Sequence, residues 1–393
     1  MEPDELLYIS IISLLFMGMF MYFLGHKSYQ LTKNASLDCE TKDYTNVYYF
    51  IALFFFAIMC GLRFRCGADC ESYVDGYERL VAGHSMSSYR DRVEPLFELI
   101  ARFMAQIEVG RVIYLGVWAF IEITFFYSAL RSRNYLLPFI GLVLILGPHF
   151  NSWNNGIRQV IASCIFVYAI VGLLDGGKIW KYLIWIAVAY YIHKSSLILV
   201  PLCFLKFYNV KPKAYIALVI LLWSVFVGQT GAFDFAFDKA EEALSFMDYD
   251  NYAKKFDDIV EEESTITSYG PRRITLLISY ILIILFSEKM DTFYEEDRLF
   301  RVSFLLFMVY ACATEMLISY DIILTRPFLY CMPFLLVCSA YLLFYLKNTQ
   351  RTLLFLMALV CMCSFSLIAS VASYDTPQEE TLYKFIFLQQ SRF

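Results

Sequence analysis

Long apolar stretches, separated by short polar turns, run along almost the whole chain. A helix needs roughly 20 apolar residues to cross a bilayer core about 30 Å thick, and about twelve stretches approach that length. They lie at 6–25, 47–62, 112–130, 135–150, 157–174, 179–192, 197–208, 214–228, 274–286, 300–319, 327–346 and 353–372. The pattern predicts an all-α integral membrane protein with about twelve transmembrane helices.

Composition supports this class. Of the 393 residues, 59% are hydrophobic and 18% are charged, which leaves too few polar groups to cover a soluble surface. The formal net charge of −5 indicates neither a nucleic-acid partner nor a surface that docks on anionic lipid. The stretch 6–25 has no cleavage-site pattern and more spans follow it, so we expect it to be retained. Residues 1–393 are therefore predicted to form a single transmembrane domain.

The basic residues predict which loops face the cytoplasm. Short cytoplasmic loops carry an excess of positive charge, and lysines gather in several short loops, among them 178–181 and 206–213. If these loops are cytoplasmic, a set of arginines lies outside, against the usual bias. They are Arg63, Arg65, Arg158, Arg272, Arg273 and Arg326. A bound polyanion would explain them.

Two polar segments, 63–111 and 231–273, are predicted on the outer side as a cap or lid over an active-site cavity. Within the first, 94–108 carries charges that would be costly at mid-bilayer, so we expect an interfacial or re-entrant helix. Both chain termini then lie outside; if 94–108 crosses instead, the N-terminus lies inside. The second segment has apolar residues at helical spacing among carboxylates, which indicates an amphipathic lid. A solvated acidic loop is the alternative.

The first cluster of candidate site residues follows the second apolar stretch. Arg63 and Arg65 are two apart, Asp69 comes after a glycine, and Tyr73 and Tyr77 follow at successive helical turns. This order would place cationic donors and a base at the membrane interface. Snorkelling anchors beside a turn are the alternative interpretation.

A second cluster opens the stretch at 157–174. Asn155, Arg158 and Gln159 lie at its start, and His149 precedes them. A helix N-terminus brings free backbone N–H groups and the positive end of the dipole, which suit a phosphate. Because an arginine there opposes the dipole, a purely structural role is harder to defend.

Two further positions complete the candidate set. His193 begins a short polar break between two half-length apolar stretches, where an ionisable group at membrane depth suggests function. A capping or turn histidine is the alternative. Arg326 precedes a proline at the start of another span and is predicted to be a phosphate donor; an ion pair with Asp321 is the alternative.

No metal or cofactor site is predicted. The four histidines form no two-histidine motif on one helix face, the cysteines lack zinc-ribbon spacing, and no glycine-rich phosphate loop is present. Most cysteines lie in apolar stretches and act as small hydrophobes. On the outer side, Cys66 and Cys70 are expected to be exposed free thiols, and a strained disulfide between them is the alternative.

Four motifs occur together in a fixed order along the chain. They are Arg63-x-Arg-x-Gly-x-Asp69-x-x-x-Tyr73, then Glu94-Pro-Leu-Phe, then Asn155-x-x-Arg158-Gln159-x-x-Ala162, and finally His193-x-Ser-Ser-Leu-Ile-x-x-x-Pro201. Together they resemble the EpsG-type membrane proteins of bacterial polysaccharide clusters, a group that includes O-antigen and capsule polymerases of the Wzy kind. The residue after Asp69 departs from the family pattern, because Cys70 stands where an aromatic residue is expected.

The resemblance implies a GT-C-like, metal-independent glycosyltransferase of the bacterial inner membrane, with its active site facing the periplasm. Its substrates would be glycan repeat units on undecaprenyl diphosphate, and its other expected partners are membrane lipids and a chain-length regulator protein. Arginines suit the diphosphate because a guanidinium binds its oxygens bidentately and stabilises the leaving group.

The resemblance also implies roles for single residues. Arg63, Arg65, Arg158, Gln159 and Arg326 would bind the diphosphate, and Tyr73, Tyr77 and Asn155 the sugars. The base that activates the acceptor hydroxyl would be Asp69 or His193, with Glu94 in reserve. These roles are expectations that rest on the family motifs.

Two other functions remain open from the sequence. A flippase for lipid-linked oligosaccharides would need polar residues through mid-membrane in both halves of a pseudo-symmetric pair, whereas the strong charges here gather at one predicted face. A membrane polysaccharide acyltransferase would need a histidine that meets an acyl donor from inside, and His193 is predicted at the outer side.

Overall fold

The computed structural model of the protein describes residues 3–38, 45–67, 69–86, 93–230, 270–295, 297–318, 322–372 and 382–387. Most of the predicted lid at 231–273 lies outside these residues, and so does Asp321. Both expectations that involve them stay predictions.

The described residues fold almost entirely as helices. The α-helices are α1 (Pro3–Asp38), α2 (Val47–Gly61), α3 (Cys70–Val81), α4 (Pro95–Gln106), α5 (Arg111–Ala129), α6 (Leu137–Leu146), α7 (His149–Asn155), α8 (Ile157–Leu174), α9 (Ile179–Ile192), α10 (Ala214–Thr230), α11 (Pro271–Phe293), α12 (Arg298–Met316), α13 (Ile322–Thr325), α14 (Met332–Asn348), α15 (Thr352–Cys363) and α16 (Phe365–Ala372). Segments of 3₁₀ helix are Arg131–Leu136, Lys194–Phe207 and Arg326–Cys331. The predicted all-α class is confirmed for the described part of the chain.

By length and composition, 5 helices among the described residues can cross a membrane, or up to 7 if each bent pair forms one span. The 5 are Glu5–Asn34, Arg111–Ala129, Ile157–Leu174, Arg298–Met316 and Arg326–Asn348. Three further apolar helices, α2, α9 and α10, are shorter. Several apolar helices of this kind indicate a membrane protein. The count of about twelve and the GT-C-like architecture are not confirmed and stay predictions.

The core of the bundle is built around α6, in which all ten residues from Leu137 to Leu146 are buried. Small residues let neighbouring helices approach closely, as is common where no water drives helix association. Gly61 of α2 and Gly116 of α5 illustrate this: a Cβ on Gly116 would lie 3.9 Å from the Gly61 Cα, and a Cβ on Gly61 would overlap the carbonyl oxygen of Val112.

The bundle has two distinct ends. Arg158 and Asp175 mark the beginning and end of α8, roughly 25 Å apart along its axis. Near Asp175, the Lys206 ammonium donates a hydrogen bond to the Gly177 carbonyl oxygen at 2.8 Å. We call these the Arg158 end and the Lys178 end, since Lys178 follows Gly177 directly.

The short helices α3 and α4 lie at the Arg158 end. The α4 helix is about 18 Å long, so it is too short to cross a bilayer core by itself. Leu99, Phe103 and Ile107 expose one apolar face, with exposed fractions near 60%, while Glu98 and Arg102 form an ion pair at 2.6 Å. This amphipathic arrangement suits the interfacial position predicted for 94–108, which stays a prediction.

Candidate functional site

A cavity of about 210 Å³ opens at the Arg158 end between the start of α8 and the segment that begins at Arg326. Many of the predicted site residues line it, namely Asp69, Tyr73, Asn155, Arg158, Gln159, His193 and Arg326. Residues from four separate parts of the sequence therefore meet in one place. This convergence makes the cavity the candidate functional site.

The local chain path explains why Arg158 and Gln159 reach the cavity. The predicted span at 135–150 breaks at Gly147 and Pro148, and the two helical parts on either side are bent by 71°. The short helix α7 then ends at Gly156, which has non-helical backbone angles, and α8 starts immediately afterwards. Both side chains consequently lie in the first turn of α8, at the cavity.

Glu94 connects the cavity to the α4 helix. Its Oε2 atom lies 2.5 Å from Nη1 of Arg158, and its Oε1 atom lies 3.3 Å from Nδ1 of His193. Oε1 also accepts a long hydrogen bond, 3.4 Å, from the backbone N–H of Lys194. The Glu94 side chain is 8% exposed and that of Arg158 is 32% exposed. One carboxylate thus positions a guanidinium and an imidazole at the same time.

The charge state of Glu94 follows from these contacts. Burial tends to raise the pKa of Glu94, but the His193 ring and the Arg158 guanidinium outweigh it and lower the pKa to about 2. Glu94 is therefore a carboxylate throughout the neutral range. A carboxylate with so low a pKa is a weak proton acceptor.

Arg158 is held from a second side by aromatic rings. Its guanidinium carbon lies 5.9 Å from the ring centre of Tyr73 and 6.0 Å from that of Phe97, within the range of a cation–π contact. Because Glu94 and these rings restrict the side chain, Arg158 loses less conformational freedom when it binds an anion.

Asp69 and Asn155 also line the cavity and contact each other. The backbone N–H of Asp69 donates a hydrogen bond of 2.7 Å to Oδ1 of Asn155. Gly67, with φ of +98°, packs against Asn155 so closely that a Cβ there would lie 3.1 Å from the Asn155 Cα. The glycine therefore allows the turn that brings Asp69 to the cavity.

Gln159 and Arg326 are linked across the cavity. The Gln159 side-chain amide donates a hydrogen bond of 2.6 Å to the backbone carbonyl of Arg326. The Arg326 side chain is exposed and forms no hydrogen bond or ion pair with other described residues. Its guanidinium is therefore open to an anion, although Asp321 lies outside this part of the chain.

The remaining predicted site residues have other surroundings. Arg63 is 2% exposed; its guanidinium donates hydrogen bonds to the carbonyl oxygens of Cys60 at 2.6 Å and Asn154 at 3.5 Å. Arg65 is exposed, with its guanidinium carbon 5.3 Å from the Phe64 ring centre. Among the described residues that line the cavity, neither arginine is included. The predicted diphosphate-binding role of both stays untested.

Tyr77 is also away from the cavity. It is 2% exposed and stacks on Tyr114 with ring centres 4.1 Å apart. Its hydroxyl donates to the carbonyl oxygens of Val109 at 2.7 Å and Met104 at 3.2 Å. These contacts tie α3 to the end of α4, and the predicted contact of Tyr77 with sugar stays a prediction.

Some residues near the site were missed by the sequence interpretation. The Ser195 and Tyr330 hydroxyls are 2.8 Å apart, and the Tyr330 ring centre lies 6.5 Å from that of His193. The C-terminal segment 382–387 pairs with 62–64 through backbone hydrogen bonds of 2.9 Å from Phe64 to Lys384 and from Ile386 to Leu62. Neither contact could be predicted from the sequence, because each joins residues more than a hundred positions apart.

The expected exposure of two cysteines is wrong. Cys66 and Cys70 are both fully buried, with 0% exposed, and both are free thiols. Burial raises the pKa of the Cys66 thiol to about 12, so the thiol is protonated at neutral pH. The C-terminal segment pairs with the neighbouring residues 62–64, which the local polar sequence could not indicate.

Within the described residues, no group of three histidine, cysteine, aspartate or glutamate side chains could hold a metal ion. The prediction that catalysis needs neither metal nor cofactor is left untested by this observation.

Comparison with known proteins identifies the family. No curated protein and no solved structure matches the chain at a significant level. The model of the EpsG family, however, matches residues 46–387, which is most of the chain and includes all the candidate site residues. The resemblance inferred from the four motifs is therefore confirmed. The chain belongs to the EpsG family, and this membership indicates a polysaccharide polymerase role.

Proposed function

We propose that the protein is a polysaccharide polymerase that joins undecaprenyl-diphosphate-linked repeat units at the periplasmic face of the bacterial inner membrane. One observation carries the proposal: Arg158 and Arg326 line the same cavity as His193, whose Nδ1 lies beside the Glu94 carboxylate. Cations for a leaving group and a base for an acceptor are thus adjacent. Family membership supports the polymerase role independently.

Arg158 and Arg326 would bind the diphosphate of the donor. Arg158 uses Nη1 for Glu94, and a guanidinium has five N–H donors in all, so several remain for phosphate oxygens. Arg326 is exposed, and its guanidinium can bind the same diphosphate. Gln159 holds the Arg326 backbone in place and would act as a positioning residue.

His193 would accept the proton of the acceptor hydroxyl. Nδ1 faces Glu94, so Nε2, on the opposite side of the ring, is the nitrogen free for substrate. Imidazole exchanges a proton near neutral pH more readily than a carboxylate whose pKa is about 2. Glu94 would therefore be a positioning residue, and Asp69, which lines the same cavity, is the second candidate base.

The reaction would be one displacement. The acceptor hydroxyl oxygen attacks the anomeric carbon of the donor sugar while its proton moves to Nε2 of His193. The bond from that carbon to the diphosphate oxygen breaks, and its electron pair leaves with undecaprenyl diphosphate. The two arginines stabilise the negative charge that develops there.

The other predicted residues would have supporting roles. Tyr73 and Asn155 line the cavity and are proposed to contact sugar. Arg63 would act through its hydrogen bonds to the backbone beside Asn155 rather than through the diphosphate. A chain-length regulator protein remains the proposed partner.

The test uses purified protein in vesicles with a synthetic undecaprenyl-diphosphate-linked repeat unit. Wild type should form a ladder of multiples of the repeat mass, and Arg158→Ala should leave a single unit. Arg102→Ala is the matched control, because Arg102 also pairs with a glutamate of α4 but on an exposed face. Transfer of the lipid-linked unit across the bilayer without any new glycosidic bond would identify a flippase and refute the proposal. Transfer of an acyl group would refute it as well.

A further inference from the structure

A second and larger cavity lies at the Lys178 end of the bundle. This groove has a volume of about 820 Å³ and is bordered by the ends of α5 and α8 and the start of α9. Its lining is separate from that of the candidate site. Cavities of this size commonly hold small-molecule ligands, and neither the polymerase role nor family membership assigns anything to it.

Three cations line the groove: Arg131, Lys178 and Lys181. Among the described residues, the side chains of these three form no hydrogen bond or ion pair; the Lys181 ammonium lies 5.7 Å from the Trp180 ring centre. Asp175, the one acidic residue among the described residues that line the groove, accepts hydrogen bonds from Arg133 at 3.0 Å and 3.2 Å, and Arg133 also pairs with Asp297 at 3.0 Å. Three cations and one carboxylate still leave the lining of the groove positively charged. The net charge of −5 for the whole chain therefore conceals a local positive groove.

These cations are not explained by helix stability. Lys178 is the N-cap of α9 and Lys181 lies in its first turn, where a positive charge opposes the helix dipole. The bias of lysine towards cytoplasmic loops explains which end carries them. It does not explain why they border a cavity together with Arg131 from a different helix.

One wall of the groove is aromatic. Tyr168 and Trp185 both line it and contact each other edge to face, with ring centres 5.2 Å apart. The Phe125 ring contacts both of them, with its centre 5.6 Å from that of Tyr168 and 5.5 Å from that of Trp185. Such amphipathic rings favour the level of lipid head groups in a membrane. A ligand that fits both walls has an anionic head and an apolar tail.

The floor of the groove is open. Gly172 of α8 lines it, and a Cβ built on this residue would meet no atom within 4 Å. A side chain can therefore start from this position without a clash at its Cβ. Substitution of Gly172 offers a way to narrow the groove and leave its charges intact.

We propose that the groove binds the phosphate head group of an anionic phospholipid, with Arg131, Lys178 and Lys181 around the phosphate and an acyl chain along Tyr168 and Trp185. The site would serve as a lipid anchor at the end of the bundle opposite the candidate active site.

The test measures retention of labelled phosphatidylglycerol by purified protein in neutral detergent, using native mass spectrometry. Each removed cation should weaken binding roughly fivefold, so Lys178→Gln combined with Lys181→Gln should weaken it about 25-fold. Gly172→Leu should weaken retention by narrowing the groove while its cations stay in place. Lys213→Gln is the control, because this exposed lysine does not line the groove, and it should bind as wild type does.

Three outcomes would overturn the proposal. One is equal retention by the double lysine variant and by wild type. Another is equal binding of phosphatidylcholine, which would show that charge is not recognised. In the third, inorganic phosphate or glycerol phosphate displaces the labelled lipid at the same concentration as unlabelled lipid does. That result would assign the groove to a soluble phosphate.

Discussion

Replacing Glu94 by glutamine tests the central pairing of the site, since glutamine keeps the shape of the side chain and removes its charge. Loss of one partner of a buried ion pair costs about 3–5 kcal/mol. Arg158 is about one-third exposed, with 32% of its side chain accessible, so water compensates part of this loss. We expect the free energy of unfolding to fall by about 2 kcal/mol.

The effect on activity should be larger and of a different kind. Glu94 contacts the His193 ring at Nδ1, and a positioned base, the role proposed for His193, contributes about 100-fold or more to rate. We expect the polymerisation rate per folded molecule to fall about 100-fold, which corresponds to about 2.7 kcal/mol of activation free energy. Ladder formation in vesicles gives the rate, and thermal unfolding in detergent gives the stability.

The pH dependence of stability reports the charge state of Glu94. The pKa of Glu94 is lowered from 4.5 to about 2, so its stabilising contribution is complete above pH 4.5 and is lost as the pH falls towards 2. Glu94 itself therefore does not titrate between pH 5 and 8. The difference in unfolding free energy between wild type and Glu94→Gln should therefore stay constant from pH 5 to pH 8 and shrink as the pH falls towards 2.

The matched control is Glu98→Gln. Glu98 lies on the same helix and pairs with Arg102 at 2.6 Å, but both side chains are more exposed, at 26% and 54%. Exposed pairs contribute little, and Glu98→Gln should keep the wild-type rate. If Glu94→Gln works within twofold of the wild-type rate, or if both variants lose activity equally, Glu94 does not position a catalytic base.

Three other substitutions give distinct expected outcomes. Arg158→Lys should retain part of the activity that Arg158→Ala loses, since an ammonium keeps the charge without the bidentate geometry; titrating the donor in the vesicle assay measures the difference. Gly61→Ala should lower the melting temperature because the new Cβ overlaps the Val112 carbonyl oxygen, whereas Gly110→Ala, where a Cβ meets nothing within 4 Å, should not. Tyr77→Phe should cost about 1 kcal/mol of stability by removing the hydroxyl that donates to the Val109 carbonyl oxygen, with the rate per folded molecule unchanged; a selective loss of rate would instead favour contact with substrate.

The amino-acid sequence was sufficient for the class of protein and for many helix positions. The stretches predicted at 157–174 and 179–192 coincide with α8 and α9, because the transfer of apolar side chains from water is a local and nearly additive property. The four motifs were also sufficient for the family. Local breaks are harder: the single stretch predicted at 135–150 became two helical parts bent at Gly147 and Pro148.

The tertiary structure decided which polar residues act together. Glu94 lies 64 residues from Arg158 and about 100 from His193, and it meets both because α4 packs beside the starts of α8 and of the segment after α9. Arg63 and Arg158 were both predicted to bind the diphosphate. The structure buries Arg63 against backbone carbonyl oxygens, whereas Arg158 lines the cavity. Hydropathy gives the free energy of transferring a residue between water and lipid, but it does not give the rotation of a helix about its axis. Packing between distant helices sets that rotation and so determines which side chains reach the cavity.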